Sequence, residues 1–207
     1  MIFAVYSILT LILLYVFFIF IKCVDEENEL PTKLSVEFII FALLSGGFNM
    51  YFDNAWLMTF FYAFLLIEAY TDYHTMQLYL IFSVSAALIG YLYMIIFGHI
   101  TLDICFDIIV FFLIVGISRF IKAINTGDVW LLFASVPYIL NVFNFKDSLL
   151  ILVGFYVLTL VLGLIINVKD ILFKKKQYVP YAVPFCLGYC CLLIIKLIER
   201  SSLGVYI

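Results

Sequence analysis

Two aspartates stand where this chain could do chemistry. Asp128, in the stretch Ala123-Ile-Asn-Thr-Gly-Asp-Val-Trp-Leu-Leu132, lies at the mouth of a long apolar segment, and Asp72, in Glu68-Ala-Tyr-Thr-Asp-Tyr-His-Thr75, lies where another one ends. A carboxylate pair hydrolyses a peptide bond when one member is ionised, to activate water, and the other protonated, to polarise the carbonyl. The two must be close enough that they cannot both ionise readily. Their places at helix ends suggest the roles: Asp128 is near an N-terminus, where the helix dipole favours an anion, and Asp72 is at a C-terminus, where it does not. Coupled sites of this kind titrate as a pair. Taken singly, an aspartate at a membrane helix end is usually just a solvated boundary or capping residue, so the case turns on the elements that position the two.

Those elements are helices in a bilayer. Of the residues, 67% are hydrophobic and 12% charged, with mean hydropathy +1.23, against about half apolar and about a quarter charged in a soluble domain. Apolar runs near the length that crosses a hydrocarbon core of about 30 Å recur with short polar breaks; the strict alternation of a membrane β-barrel is absent. The expectation is an all-α polytopic bundle of about eight transmembrane helices, at about 2–22, 35–51, 55–71, 77–98, 103–121, 128–144, 148–168 and 180–198, with Gly46 and Gly47 in the second. No repeat, low-complexity tract or linker divides the chain, so a single domain over 1–207 is expected. The N-terminus lacks a basic segment and a small-residue cleavage site, which predicts a retained helix rather than a removable signal.

Eight spans set the sides. Asp72 ends the third; the fourth crosses away and the fifth returns, so Asp128, opening the sixth, is on the same face by parity. That face holds Lys22, Lys33, Arg119, Lys122, Lys169, Lys174, Lys175 and Lys176, and the other holds Lys146, Lys196 and Arg200. The basic excess assigns the aspartates to the cytoplasmic side.

Other polar residues have narrower readings. Glu68, one helical turn before Asp72, reads as a boundary residue or a partner supporting Asp72, since an acid within a membrane helix is a functional candidate. Asp103 and Asp107 fall toward the outer face, away from the pair. His74 and His99 are on opposite sides, so no metal site is expected, and no cofactor. The five cysteines include no Cys-x-x-Cys pair and read as small hydrophobes, with neither zinc nor a structural disulfide. The acidic loop Asp25, Glu26, Glu27 and Glu29 reads as a solvated connection or as a contact for a basic substrate segment, and Lys174 to Lys176 as an anchor at anionic headgroups. No basic face for nucleic acid is present, and the expected partner at this level is the lipid bilayer. Gly127 before Asp128 permits close backbone approach or a positive φ.

Gly127-Asp128-Val129 resembles the second half of the Gly-x-Gly-Asp motif of the type IV prepilin peptidases, and Asp72 falls where that family has its first aspartate, two membrane helices earlier. Val179-Pro-Tyr-Ala-Val-Pro-Phe-Cys-Leu-Gly188 is similar to the family's C-terminal Ile-Pro-Tyr-Gly-Val stretch, through Pro180 and the closing Gly188. The resemblance covers about 55–198. It implies an aspartyl endopeptidase that removes the short basic leader from pilin-like precursors at the cytoplasmic membrane face, with Asp72 and Asp128 as the catalytic pair. The chain departs from the pattern at Asn125, where the first motif glycine usually stands, at Trp130, where a lysine often follows, and at Leu78-Tyr79-Leu80. Asn tolerates left-handed backbone better than most residues, so Asn125 is expected to stand in for glycine. The cysteine-rich region that accompanies N-methylation in larger members is missing, which implies cleavage without methylation. Two other readings stay open: a presenilin-like protease cutting within the bilayer, and a transporter or assembly protein using membrane carboxylates as a relay.

Overall fold

A computed structural model of the chain describes residues 1–24, 30–31, 33–52, 54–75, 78–122, 124–172 and 181–202, with the backbone alone for 169–172 and 200–202. Among these residues the fold is all-helical, with eight α-helices and no strand. The chain forms two compact units, residues 1–77 and 78–207.

The first unit contains α1 (Ile2–Val24), α2 (Val36–Gly46), a 3-10 turn (Gly47–Tyr51) and α3 (Ala55–Thr75). One stripe of α1, Ser7, Thr10, Leu14, Phe18 and Ile21, is buried at helical spacing, while Ile2, Val5, Ile8, Ile12, Val16 and Ile19 are exposed on another face. Such a division suits a helix with protein on one side and lipid on the other. Ser7 and Thr10 donate to the carbonyls of Phe3 and Tyr6, at 3.0 and 2.8 Å, so their hydroxyls enter the interface already satisfied. Across it, a Cβ at Gly46 would stand 2.4 Å from Thr10 Oγ1 and one at Gly47 2.4 Å from the Phe3 ring. The glycines that the sequence places in the second span are therefore contacts that let α2 and the turn close on α1. α3 is of a different kind: from Leu57 to Asp72 every residue but Phe60 is buried.

The second unit contains α4 (Leu80–Ile96), α5 (Leu102–Phe120), α6 (Thr126–Val142), α7 (Ser148–Leu172) and α8 (Ala182–Ser202). Here α6 packs against α4, α5, α7 and α8, and from Leu131 to Val142 every residue but Phe133 is buried. Its tightest neighbour is α4: a Cβ at Gly90 would meet Tyr138 Cε2 at 2.8 Å and Pro137 Cβ at 2.9 Å. One turn earlier on α4, the carbonyl of Ala86 accepts a 2.7 Å hydrogen bond from the Tyr138 hydroxyl. Pro137 breaks the regular ladder of α6, and the interhelical bond from the next residue ties that irregular turn to α4.

Three of the helices are long and apolar enough to cross a bilayer: Ile2–Val24, Ser148–Val168 and Ala182–Glu199. The segments Val36–Tyr51, Leu80–Ile96 and Thr126–Val142 are apolar but shorter. The expected second span is the one the structure alters most. Its α-helix has 11 residues, a rise of about 16 Å, and gives way to the 3-10 turn at the glycine pair.

Candidate functional site

The start of α6 carries Asp128. Asn125 is the N-cap, with extended backbone (φ -89, ψ 169), and the helix begins at Thr126. That start is two residues earlier than the apolar run alone indicates, and it makes Asp128 the third helical residue rather than the first. Its Oδ2 accepts a 2.7 Å hydrogen bond from the Asn125 N–H, closing a capping box. Asn125 and Thr126 are exposed, whereas Asp128 is 6% exposed. The left-handed conformation anticipated at Asn125 does not occur, because an N-cap requires extended backbone; among the described residues between α5 and α6, Lys122 is the one with a positive φ, 61. Gly127 takes no positive φ either; it serves close approach, since a Cβ there would lie 3.1 Å from Leu78 Cδ1. Arg119 near the end of α5 donates through Nε to Thr126 Oγ1 at 3.2 Å, which links the ends of the two helices beside the carboxylate.

Asp72 occupies the last turns of α3 and is 6% exposed; Glu68, one turn before it, is wholly buried. Between them Thr71 is also wholly buried and donates to the Glu68 carbonyl at 3.0 Å. Thr75 repeats the pattern onto Thr71 at 2.9 Å. Rings close the end of this helix: His74 lies 4.5 Å from Tyr70 and 5.2 Å from Tyr73 between centroids. Asp72 and Glu68 thus belong to the first unit, and Asp128, Asn125 and Gly127 to the second.

At the other end of the second unit, Asp103 and Asp107 on α5 join His99, Asn144, Asp147 and Ser148 around a cavity of about 430 Å³. Ser148 donates to Asp107, and His99 stacks on Phe145 at 4.2 Å. These aspartates are therefore a full helix length from Asp128 along α5 and α6. Among the described residues, no three His, Cys, Asp or Glu side chains form a group able to hold a metal ion.

Gly188 lies on α8 against α7, where a Cβ would meet Thr159 Cγ2 at 2.8 Å. Thr159 is wholly buried and is the residue sequence reasoning passed over. Its Oγ1 lies 2.8 Å from the Tyr181 hydroxyl and donates to the Tyr156 carbonyl, also at 2.8 Å. The available signal was a lone threonine in the apolar run of α7, together with a tyrosine inside the 179–188 stretch. Pro180, the loop acids Asp25, Glu26, Glu27 and Glu29, and Lys174 to Lys176 lie outside the described residues. Comparison of the chain with protein-family models, with curated proteins and with solved structures finds no match.

Proposed function

We propose that this chain is a multi-pass aspartyl endopeptidase of the cytoplasmic membrane, of the prepilin-peptidase kind, in which Asp72 and Asp128 act together on the junction between a basic leader and an apolar helix. The observation that carries the reading is the burial of both carboxylates, each 6% exposed, near the ends of helices in a chain with so little charge. A boundary aspartate whose only task is solvation has no reason to be buried, because desolvating a carboxylate is costly. Helix order supports the pairing. α4 and α5 stand between the two residues in the chain, so in an eight-span bundle both aspartates belong to one membrane face, and the Lys and Arg asymmetry makes that face cytoplasmic.

In the proposed reaction Asp128, held at the N-terminus of α6, takes a proton from water as the oxygen attacks the scissile carbonyl. Protonated Asp72 gives its proton to the carbonyl oxygen. Collapse of the tetrahedral intermediate breaks the C–N bond, the amine takes the proton from Asp128, and the re-forming carbonyl returns one to Asp72, so both groups end as they began. The family resemblance supplies the substrate class, pilin-like precursors, and implies that no methylation follows.

The test is Asp72→Asn and Asp128→Asn, each examined for cleavage of a pilin-like precursor and for insertion and folding. Loss of cleavage in both, with insertion retained and with serine, cysteine and metal-directed inhibitors without effect, is expected. A carboxylate relay predicts cleavage by neither the parent nor the variants, and a cut inside the apolar segment would assign the presenilin-like chemistry instead. Activity removed by a chelator and restored by zinc would rule out the aspartyl mechanism.

A further inference from the structure

One buried acid on α3 has no part in the two-aspartate scheme. Glu68 stands four residues before Asp72 in an unbroken α-helix, Ala55–Thr75. Residues at that spacing lie one above the other, with Cβ atoms about 5–6 Å apart, within reach of two carboxyl side chains. Both are out of water, Glu68 wholly and Asp72 with 6% of its surface exposed. The other described residues on this face within one turn of Asp72 are Ala69, which has no polar side chain, and Thr75, which donates to the Thr71 carbonyl at 2.9 Å. Thr71, between the two acids, donates to the Glu68 carbonyl at 3.0 Å, and a hydroxyl has one proton to donate. On this face of α3, Glu68 is therefore the described group that can both hold and release a proton beside Asp72.

The neighbouring elements of the first unit meet α3 on another side. α1, α2 and the 3-10 turn pack on it, and their titratable side chains are Tyr6, Tyr15, Lys22, Cys23, Glu37 and Tyr51. At the level of the two acids α3 meets α1 and α2 through Tyr70, whose ring lies 6.2 Å from Phe18 and 4.8 Å from Phe38 and whose hydroxyl donates to the Lys33 carbonyl at 3.3 Å. Tyr70 is midway in sequence between Glu68 and Asp72, so it points about 160° around the helix from each. His74, packed on Tyr70 at 4.5 Å, shares that side. Lys22 donates to the Leu30 carbonyl at 2.5 Å, and Glu37 is exposed. Along their own helix the two carboxyls meet each other.

We propose that Glu68 is a positioning residue that keeps Asp72 in its acid form by sharing one proton with it. Two carboxyls one turn apart and out of water cannot both ionise readily, so the pair retains a proton at a pH where a lone aspartate has lost it, and the two titrate together. This rests on the peptidase reading and adds to it the means by which Asp72, rather than Asp128, stays the acid. The shared proton is on Asp72 when substrate is bound. It passes to the carbonyl oxygen as the water oxygen bonds to the carbonyl carbon, and it returns to Asp72 when the C–N bond breaks and the carbonyl re-forms. Glu68 does not touch the substrate. Its part is to make loss of that proton to solvent unfavourable, while transfer to the more basic oxyanion remains open.

The experiment uses the full chain in detergent with a precursor made of a Lys-rich leader, one glycine and an apolar helix, and reads kcat and KM against pH. Glu68→Gln retains the size and polarity of the side chain and removes only its proton equilibrium. With the neighbouring carboxyl gone Asp72 loses its proton more easily, so the alkaline limb of kcat should move down by about one pH unit or more. On that limb kcat falls about 10-fold with KM changed less than about two-fold, and acidification restores it to within about three-fold of the parent. Asp72→Asn is run alongside and should be inactive at every pH. A packing or hydrogen-bonding role for Glu68 moves no limb. A limb that stays in place or rises in Glu68→Gln, or a loss that acid does not restore, overturns the proton-sharing role and, with Asp72→Asn inactive, leaves the peptidase reading standing. Cleavage by Asp72→Asn, or none by the parent, overturns both. Should Glu68→Gln fail to insert, Glu68→Met, which fills a buried site without a polar group, is read in the same way.

Discussion

Replacing Asp128 tests whether one carboxylate can be both cap and catalyst, because the two roles respond differently to the same substitutions. The Oδ2 of Asp128 accepts from Asn125 N–H at 2.7 Å. Asp128→Ala removes that acceptor and the negative charge at the helix N-terminus. Asn125 is exposed, so water takes over part of the lost bond, and the cost falls in the capping range, about 1–2 kcal/mol. Asp128→Asn keeps an acceptor oxygen in the same place and loses only the charge, about 0.5–1 kcal/mol. At about 2–4 °C per kcal/mol for a chain of this length, Tm should fall by about 2–8 °C for alanine and about 1–4 °C for asparagine. Thermal unfolding in detergent can be followed with a thiol-reactive dye, since Cys186 is buried; Cys23 is exposed and is replaced by serine to remove its background. Cleavage of the precursor is measured on the same samples. The expected outcome is a graded loss of stability with an equal, complete loss of activity. An alanine variant as stable as the parent would refute the capping argument, and an active asparagine variant would refute the catalytic one.

Further outcomes follow from other contacts and from the charge pattern. Gly90→Leu should destabilise by about 1–3 kcal/mol, the range for overpacking, because a Cβ there already meets Tyr138 and Pro137 inside 3 Å; Gly116→Ala, where nothing lies within 4 Å, should be neutral or stabilising by up to about 1 kcal/mol in the same unfolding assay. Gly188→Ala should push on Thr159, whose Cγ2 a Cβ would meet at 2.8 Å, and destabilise by about 1–3 kcal/mol in the same assay. A reporter fused after Lys176 should be cytoplasmic and one fused after Phe145 external; finding both on one side removes the basis for pairing the aspartates. Neutralising Asp25, Glu26, Glu27 and Glu29 together should raise KM for a basic leader at low salt, with the difference shrinking at high salt, and an unchanged KM leaves that loop a solvated connection.

What the sequence determined by itself is whatever depends on neighbours along the chain. Composition and run length settle the helical class and the apolar character of α1, α7 and α8, because a bilayer imposes its thickness on each segment separately. The Gly127-Asp128 pair marks the start of α6 to within two residues, because a cap is made within one turn of chain. Tertiary structure decided what depends on partners far away in sequence. Gly46 and Gly47 are ordinary small residues until α1 lies against them, and Gly90 has no evident purpose until Tyr138 and Pro137 arrive from α6. Thr159 is an isolated threonine in an apolar run until the Tyr181 hydroxyl, 22 residues later, reaches it. The same holds for Asp128: its place near a helix N-terminus is local and legible in the sequence, but its burial, 6% exposed, is a property of packing, because only distant segments can take the carboxylate out of water.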